Sequence, residues 1–336
     1  MTSPLKTVPI KRLYLCLSAL VIAIMLISLL YGSADLTILD ILTGLVSLND
    51  DPASLIVWEI RMPRILLSAI IGFTLGLAGA ALQGYLRNPL ADAGILGVSA
   101  SSGFGAILAI YYGLAAINSY FIPLTALGAA IISTMAILFL ARRDTSMVTL
   151  ILAGLAISSL MGSLSSLALS LAPTPMSLQD MMMWLMGSLT NSSWAEIWLV
   201  LPFMLLGAIL ILSIGNNLSA LTLGRDVAQS MGVDILAVRR RLILGIALVV
   251  SSGVAVAGMI GFIGLIVPHV VRPFTGYDPA KSLIPSGLAG AGLLLLADMI
   301  ARTPIFDSEI RIGVMTSLIG APAFLWILIK TRRERR

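Results

Sequence analysis

The sequence predicts an all-α polytopic membrane protein, a single domain over residues 1–336 with about ten transmembrane helices. Only 11% of the residues are charged and 58% are hydrophobic, and the mean hydropathy is +1.03. This composition leaves too little polar surface for a soluble domain of this length. Apolar runs of about 20 residues, enough to cross about 30 Å of hydrocarbon, recur along the chain. They lack the polar alternation of a membrane β-barrel, so we expect helices.

The first apolar run, LYLCLSALVIAIMLISLLY, follows Lys6, Lys11 and Arg12 and resembles a signal peptide at first sight. At about 19 residues it exceeds the roughly 7–15 residues of a signal-peptide core, and we interpret it as a retained spanning helix. Cys16 is the only cysteine, which excludes an intrachain disulfide, and we expect it to pack within that helix.

Ten runs have the composition of spans, although the eighth is too short to cross alone and ends in VPHVVRP. We expect that run to form a short or tilted helix buried in protein, where irregular backbone is tolerated. The predicted spans cover residues 13–31, 63–84, 94–113, 120–140, 148–170, 196–214, 242–260, 262–274, 282–301 and 311–330.

Ten spans put both termini on the same side of the membrane. Of the 21 lysines and arginines, all but Arg61, Arg64, Arg302 and Arg311 fall on that side. Because cytoplasmic loops are enriched in basic residues, we expect both termini to be cytoplasmic. The net charge of +5 then follows from topology and indicates no nucleic-acid partner.

The string RNPLADAGILG connects the second and third spans on the predicted cytoplasmic side. It places Arg87, Asn88, Pro89 and Asp92 in one short turn, where the proline interrupts the helix. An ordinary membrane turn accounts for the polarity and the helix break, but composition does not account for this particular string.

The longest cytoplasmic loop runs from Asn216 to Arg241. Leu223, Val227 and Met231 recur four residues apart, which predicts a short amphipathic helix over Leu223 to Gly232. Two interpretations stay open: a helix on the membrane surface, and a helix that docks into a groove of a cytoplasmic partner. The small apolar face favours the docking helix.

The chemistry of catalysis is absent from the sequence. None of the four lysines completes a phosphate-binding P-loop, and His269 is the sole histidine, so we expect neither ATP hydrolysis nor a metal site in this chain. A proton-coupled transporter places carboxylates deep in the membrane. The one candidate, Asp298, lies one turn from Arg302 and is interpreted as its structural partner.

Ordered strings along the chain resemble one family, the FecCD-type permeases of bacterial ABC importers for ferric siderophores, haem and cobalamin. The resemblance is carried by RMPRILLSAIIGFTLGLAGAALQGYLRNPLADAGILGVSA, LILAGLAISS, MMMWLMGSL, LTLGRDVAQSMGV, GFIGLIVPHVVR, LLLLADMIAR and IGVMTSLIGAPAFLWIL. Departures from the family pattern are Ala93, where proline is usual, together with SASSGFGA, GYDPAK and Ile310–Arg311.

The resemblance implies a type II ABC importer permease fold in the bacterial inner membrane, assembled as a homodimer surrounded by membrane lipid. Two cytoplasmic ATPase subunits, which bind ATP and Mg²⁺, would drive it, and a periplasmic binding protein would deliver the cargo. This chain would hold no cofactor. The turn at residues 87–97 would hold the inner end of the path and touch the ATPase.

The resemblance also assigns the loop after the sixth span to ATPase coupling. The glycines would let the chain turn at each end, the small alanine would permit close approach, and the charged pair would meet rim charges of the partner. The predicted coupling residues are Leu223, Gly224, Arg225, Asp226, Ala228, Met231 and Gly232.

Four serines of the fifth span share one helical face: Ser159, Ser163, Ser166 and Ser170. Small residues also permit close helix packing. In the family the fifth helix lines the dimer axis, which favours the translocation path, and neutral hydroxyls suit a bulky polar chelate. On the outer face, Arg61 and Arg302 are predicted to pair with carboxylates of the binding protein.

The leading hypothesis is therefore an ABC importer permease for a ferric siderophore, with haem or cobalamin and then molybdate-type oxyanions as alternative cargoes. An autonomous secondary transporter is the alternative from another class, although the sequence shows no intramembrane acid–base network. A membrane scaffold without transport is the third, and the helix-breaking glycines and the docking loop argue against it.

Overall fold

The computed structural model describes residues 9–32, 36–46, 51–140, 147–303 and 309–334, and these contain helices and turns but no β-strand. Ten main helices follow one another along the chain. We label them α1 (Ile10–Leu30), α2 (Met62–Leu86), α3 (Val98–Tyr111), α4 (Phe121–Leu140), α5 (Met147–Ser170), α6 (Trp194–Ser213), α7 (Ile235–Ala257), α8 (Ile263–Val271), α9 (Pro279–Ala301) and α10 (Ile312–Glu334).

Each predicted span overlaps one of these helices, so the predicted fold class is confirmed. Two bounds differ: α7 begins at Ile235, within the predicted loop Asn216–Arg241, and α3 begins at Val98 after a separate 3₁₀ turn. Among the described residues, seven helices are long and apolar enough to cross a membrane. The remaining apolar segments, Val98–Tyr111, Ile263–Thr275 and the apolar part of α10 at Ile312–Ile327, are shorter. The eighth span is short, as predicted, because Phe262 precedes it in a left-handed conformation and Arg272 begins a 3₁₀ turn.

Short helices fill the connections between the main ones. They lie at Ile38–Val46, Pro52–Leu55, Leu114–Ile117, Pro175–Leu185, Gly215–Thr222 and Arg225–Ser230, with a π-helix at Ile56–Arg61 and 3₁₀ helices at Ala93–Leu96 and Arg272–Thr275.

Glycines bring α2 and α9 into backbone contact at the centre of the bundle. A Cβ atom built on Gly72 would lie 2.4 Å from the carbonyl oxygen of Gly290, and one on Gly76 would lie 2.2 Å from that of Ser286. Membrane helices associate through such close approach, because lipid tails provide no hydrophobic drive between them. Cys16 does not pack inside the protein as expected; its side chain is exposed on α1.

The bundle has two ends, which we name by residues. At the Arg87 end, α2 finishes and α9 begins, and Ser219 contacts Asp278. At the Asp298 end, α1 and α9 finish and α2 begins. There Asp298 is fully buried, bonded to Arg64 and Arg302, so the predicted Asp298–Arg302 pair is confirmed.

Candidate functional site

The connection between α6 and α7 forms a folded projection at the Arg87 end. The sequence predicts one helix over Leu223 to Gly232, whereas the structure has the shorter helix Arg225–Ser230. Gly224 has a φ of 118° and Gly232 a φ of 85°, values that glycine adopts without strain. The two predicted bracketing glycines therefore end the helix on both sides, and Leu223 belongs to the preceding turn.

Three apolar side chains of this projection have no cover in the described chain. Leu223 is 64% exposed, Val227 47% and Met231 62%. We call these three residues the apolar patch. Ile235, the next residue of the same four-residue spacing, is buried at the start of α7. An apolar face of this kind at the end of a membrane bundle is typical of a surface that a protein partner or the membrane covers, so both predicted interpretations of this helix stay open.

Ala228 does not belong to that surface. Its side chain is fully buried, and it packs with the hydrophobic core of its own chain. The prediction that Ala228 permits close approach of a partner is therefore wrong, because this alanine permits the close approach of the helix to the bundle. Asp226 is exposed and Arg225 is half-buried, so Asp226 is the freer of the two predicted rim charges.

Hydrogen bonds attach the projection to the N-terminus of α9. Ser219 Oγ donates to Asp278 Oδ1 at 2.5 Å, and the backbone N–H of Ala280 donates to the same oxygen at 3.0 Å. Burial raises the pKa of Asp278, but the hydrogen bonds from Ser219 and Ala280 and the ammonium of Lys281 outweigh it and hold the pKa below its usual value. A charged Asp278 thus caps α9 and positions the projection.

The turn after α2 is rigidly built. Arg87 ends α2 with a φ of 49°, and the N–H of Asn88 donates to the carbonyl of Gln83 at 3.2 Å, which closes the helix with a left-handed cap. Asn88 Oδ1 accepts from the N–H of Leu90 at 3.0 Å. Asp92 Oδ1 accepts from the N–H of Gly94 at 2.8 Å and caps the 3₁₀ helix.

This turn lies between two helices of the bundle. A Cβ atom on Gly154 of α5 would lie 2.2 Å from the carbonyl oxygen of Ile95, and one on Gly264 of α8 would lie 3.6 Å from Asp92 Oδ2. Gln83 donates to the carbonyls of Gly264 and Leu265. The turn is therefore in contact with both α5 and α8.

The four predicted serines lie on the most exposed face of α5. Within the apolar window of that helix only 11% of the residues are buried, against 72% in α7. All four side chains, Ser159, Ser163, Ser166 and Ser170, are exposed in the single chain. Ser166 donates to the carbonyl of Gly162, a bond internal to the helix. A hydroxyl-bearing face without cover is consistent with a polar path or a helix–helix contact.

The two arginines predicted to dock a binding protein are not on the surface. Arg61 is 3% exposed and donates to the carbonyl of Leu29, and Arg302 is 7% exposed and bonds Asp298. The prediction of exposed rim charge is wrong for both, because each guanidinium satisfies acceptors at the ends of α1 and α9. Their contacts support the Asp298 end of the fold.

One feature of the site was missed by sequence reasoning. At the Asp298 end a cavity of about 650 Å³ lies between the helix Pro175–Leu185, the α7–α8 junction and the first half of α10. Met186, Met259, Leu318 and Ser317 are among its lining residues. The stretch MMMWLMGSL contains two of the lining residues, Leu185 and Met186, but a run of methionines does not show which side chains face a cavity.

The FecCD transport family model matches residues 20–330. The uncharacterized ABC transporter permease protein YvrB of Bacillus subtilis (strain 168) is 40% identical over 294 residues, 86% of this chain and 83% of its own length. The vitamin B12 import system permease protein BtuC of Shigella boydii serotype 18 is 36% identical over 324 residues, 96% of each chain.

Solved structures share the architecture. An inward-facing metal-chelate type ABC transporter superposes with a TM-score of 0.86 at 31% identity, covering 95% of this chain and 99% of that one. PsaBC from Streptococcus pneumoniae in complex with Fab has a TM-score of 0.54 at 15% identity, covering 86% and 94%, and supports the fold alone.

Proposed function

This chain belongs to the FecCD transport family as a multi-pass permease of an ABC importer, and from that premise we propose that it imports a corrinoid of the vitamin B12 class. The partner proteins, the orientation of the chain in the membrane and the roles of individual residues are part of the same proposal. The observation that carries the coupling mechanism is the uncovered apolar patch on a rigid projection at the Arg87 end.

In this proposal the Arg87 end is cytoplasmic, and an ATPase subunit covers the apolar patch. Most basic residues in the described parts of the chain lie at that end, which is the enrichment that the positive-inside rule predicts for a cytoplasmic face. Leu223, Val227 and Met231 would enter a groove of the ATPase, the usual way in which a short amphipathic helix is recognised. Because Ser219 and Asp278 tie the projection to α9, a displacement of the patch would reach the bundle.

The second proposed contact is a homodimer with α5 near its axis. Its exposed serine face supports this arrangement, because a second copy would enclose those hydroxyls in a neutral polar path. The Gly154–Ile95 contact would connect that path to the turn after α2. A binding protein would deliver the cargo at the Asp298 end, where exposed surface and not Arg61 or Arg302 would receive it.

The cargo proposal rests on the relatives and on the character of the cavity. BtuC matches this chain over 96% of both lengths, and its name states vitamin B12 import. Within the described part of the chain, the cavity at the Asp298 end has no charged residue in its lining and contains flexible methionines, which suits a bulky uncharged cargo. The ferric siderophore that the sequence favours is supported by the likeness to the solved metal-chelate type transporter and is the competing cargo.

The cargo can be tested in proteoliposomes that contain the permease, its ATPase and its binding protein. ATP-dependent uptake of radiolabelled cyanocobalamin is expected, with ferric siderophore and haem transported more slowly. Faster uptake of a ferric siderophore would transfer the assignment to that cargo. Uptake driven by a proton gradient without ATP would favour the secondary transporter instead.

The coupling role can be tested with one charge placed on the projection. Val227→Asp puts a carboxylate within the apolar patch, and we expect ATPase co-purification and uptake to fall together by about tenfold or more, since a charge buried without a partner is costly. Gln229→Asp is the matched control, because Gln229 is exposed on the same short helix away from the patch. Equal losses in both variants would contradict a specific role of the patch.

A further inference from the structure

A second cavity lies at the Arg87 end, outside the apolar patch and the serine face. Its volume is about 210 Å³, and the ends of α2, α8 and the helix Gly215–Thr222 enclose it with the beginning of α9. Its polar lining consists of Gln83, Arg87, Thr222, Arg272, Tyr277 and Ser282.

The lining is positively charged. Neither Asp nor Glu is among its residues, and within the described ranges no carboxylate pairs with Arg87 or Arg272. The adjacent carboxylate, Asp278, is occupied by Ser219, Ala280 and Lys281. Arg272 is half-buried, and a guanidinium removed from water without an anion is unfavourable. The cavity therefore lacks a negative charge.

Backbone strain is concentrated at the same place. Only three non-glycine residues in the described parts of the chain have a positive φ, and two of them, Arg87 at 49° and Tyr277 at 62°, line this cavity. Such conformations cost about 1 kcal/mol or more for a residue with a Cβ and persist where the surrounding structure holds them. Glycine would relieve the strain at either position but would remove the guanidinium or the phenol from the cavity.

The floor of the cavity carries an unsatisfied polar group. Gln83 is 1% exposed, its amide nitrogen donates to Gly264 and Leu265, and its Oε1 has no hydrogen-bond partner. A buried acceptor of this kind is normally bonded. A ligand that brings an anion would satisfy the two arginines of the lining.

We propose that this cavity binds the phosphate of an anionic phospholipid headgroup, with Arg87 and Arg272 as the phosphate ligands. Basic pockets between membrane helices at the headgroup level recognise such lipids. Tyr277 is 70% exposed and Phe274, in the turn begun by Arg272, is 38% exposed, which is the aromatic arrangement found at membrane interfaces. Since Thr222 directly precedes Leu223, the bound lipid would brace the base of the projection.

The test is lipid binding to the full-length chain purified in neutral detergent, measured by native mass spectrometry. Phosphatidylglycerol should bind and phosphatidylcholine should not. Arg87→Gln and Arg272→Gln should each weaken phosphatidylglycerol binding by about tenfold, the effect of removing one charge-assisted contact. Arg241→Gln is the matched control, because Arg241 is exposed at the start of α7, outside the cavity lining.

Folding and ligand source are controlled separately. Arg87 is exposed, so Arg87→Gln should keep the size-exclusion profile even if Arg272→Gln does not. Unchanged binding in Arg87→Gln, or an equal loss in Arg241→Gln, would overturn the proposal. Protection against thermal unfolding by millimolar inorganic phosphate, with no such effect of phosphatidylglycerol, would reassign the site to free phosphate and also overturn it. If Arg87→Gln and Arg272→Gln lost ATPase co-purification but kept lipid binding, a carboxylate of the ATPase would be the ligand of these arginines. This is the third result that would contradict the proposal.

Discussion

Replacing Asp298 with asparagine should destabilise the fold by about 3–5 kcal/mol, the cost of breaking a buried ion pair by removing one partner. Asp298 is completely buried and accepts hydrogen bonds from two guanidinium groups, with Arg64 Nη2 at 2.9 Å and Arg302 Nε at 2.8 Å. Asparagine keeps the shape but leaves two buried cations with one remaining carboxylate, that of Glu309, 3.1 Å from Arg64.

Glu309→Gln is the matched comparison at the same cluster. The Glu309 side chain is 34% exposed, so solvent screens its bond to Arg64, and we expect a loss of about 1 kcal/mol or less. The assay is thermal and denaturant unfolding of both detergent-purified variants, followed by the near-ultraviolet signal. Wild-type unfolding of Asp298→Asn, or the same loss of stability in both variants, would contradict the expected cost of breaking the buried ion pair.

Three further outcomes follow from burial and close contact. Ala228→Trp should lower expression and increase proteolysis of the projection, because the bulk would meet this chain's own core; a well-folded variant that loses only ATPase binding would contradict that expectation. Gly154→Leu should lower the free energy of unfolding by about 1–3 kcal/mol and reduce transport, because the side chain would separate α5 from the turn at Ile95. Unfolding and uptake measurements test this. Gly162→Leu is the control and should keep the fold, because no atom of the described residues lies within 4 Å of a Cβ at Gly162. Burial raises the pKa of Asp92 and outweighs the hydrogen bond from Gly94, which lowers it. The contribution of Asp92 to stability is therefore fully present below its unfolded-state pKa of about 3.9 and is lost as pH rises through its folded-state pKa. Asp92→Asn should therefore match the wild-type protein at low pH and exceed its stability at neutral pH, and unfolding curves across pH would show the opposite trend if the burial argument is wrong.

The membrane protein class, the ten helices and the turn at residues 87–97 could be predicted from the sequence because they depend on local properties. A span requires about 20 apolar residues in succession, and such a run is visible without knowledge of its neighbours. The patch residues Leu223, Val227 and Met231 were found in the same way, from a four-residue spacing. The Asp298–Arg302 pair was also found, since a separation of four places both side chains on one helical face.

The surroundings of each side chain were decided by the tertiary structure. From the sequence, Arg61 and Arg302 were predicted to be exposed charges, yet helix packing at the Asp298 end buries both. Ala228 lies in a stretch of exposed residues, but the short helix turns it toward the core. Arg87 and Arg272 are far apart in the chain, and only the contact of α2 with α8 brings them to one cavity. A hydropathy pattern records which residues enter the membrane, whereas burial and pairing depend on which helices meet, and that is fixed by non-local contacts such as Gly72 with Gly290 and Gly79 with Gly264.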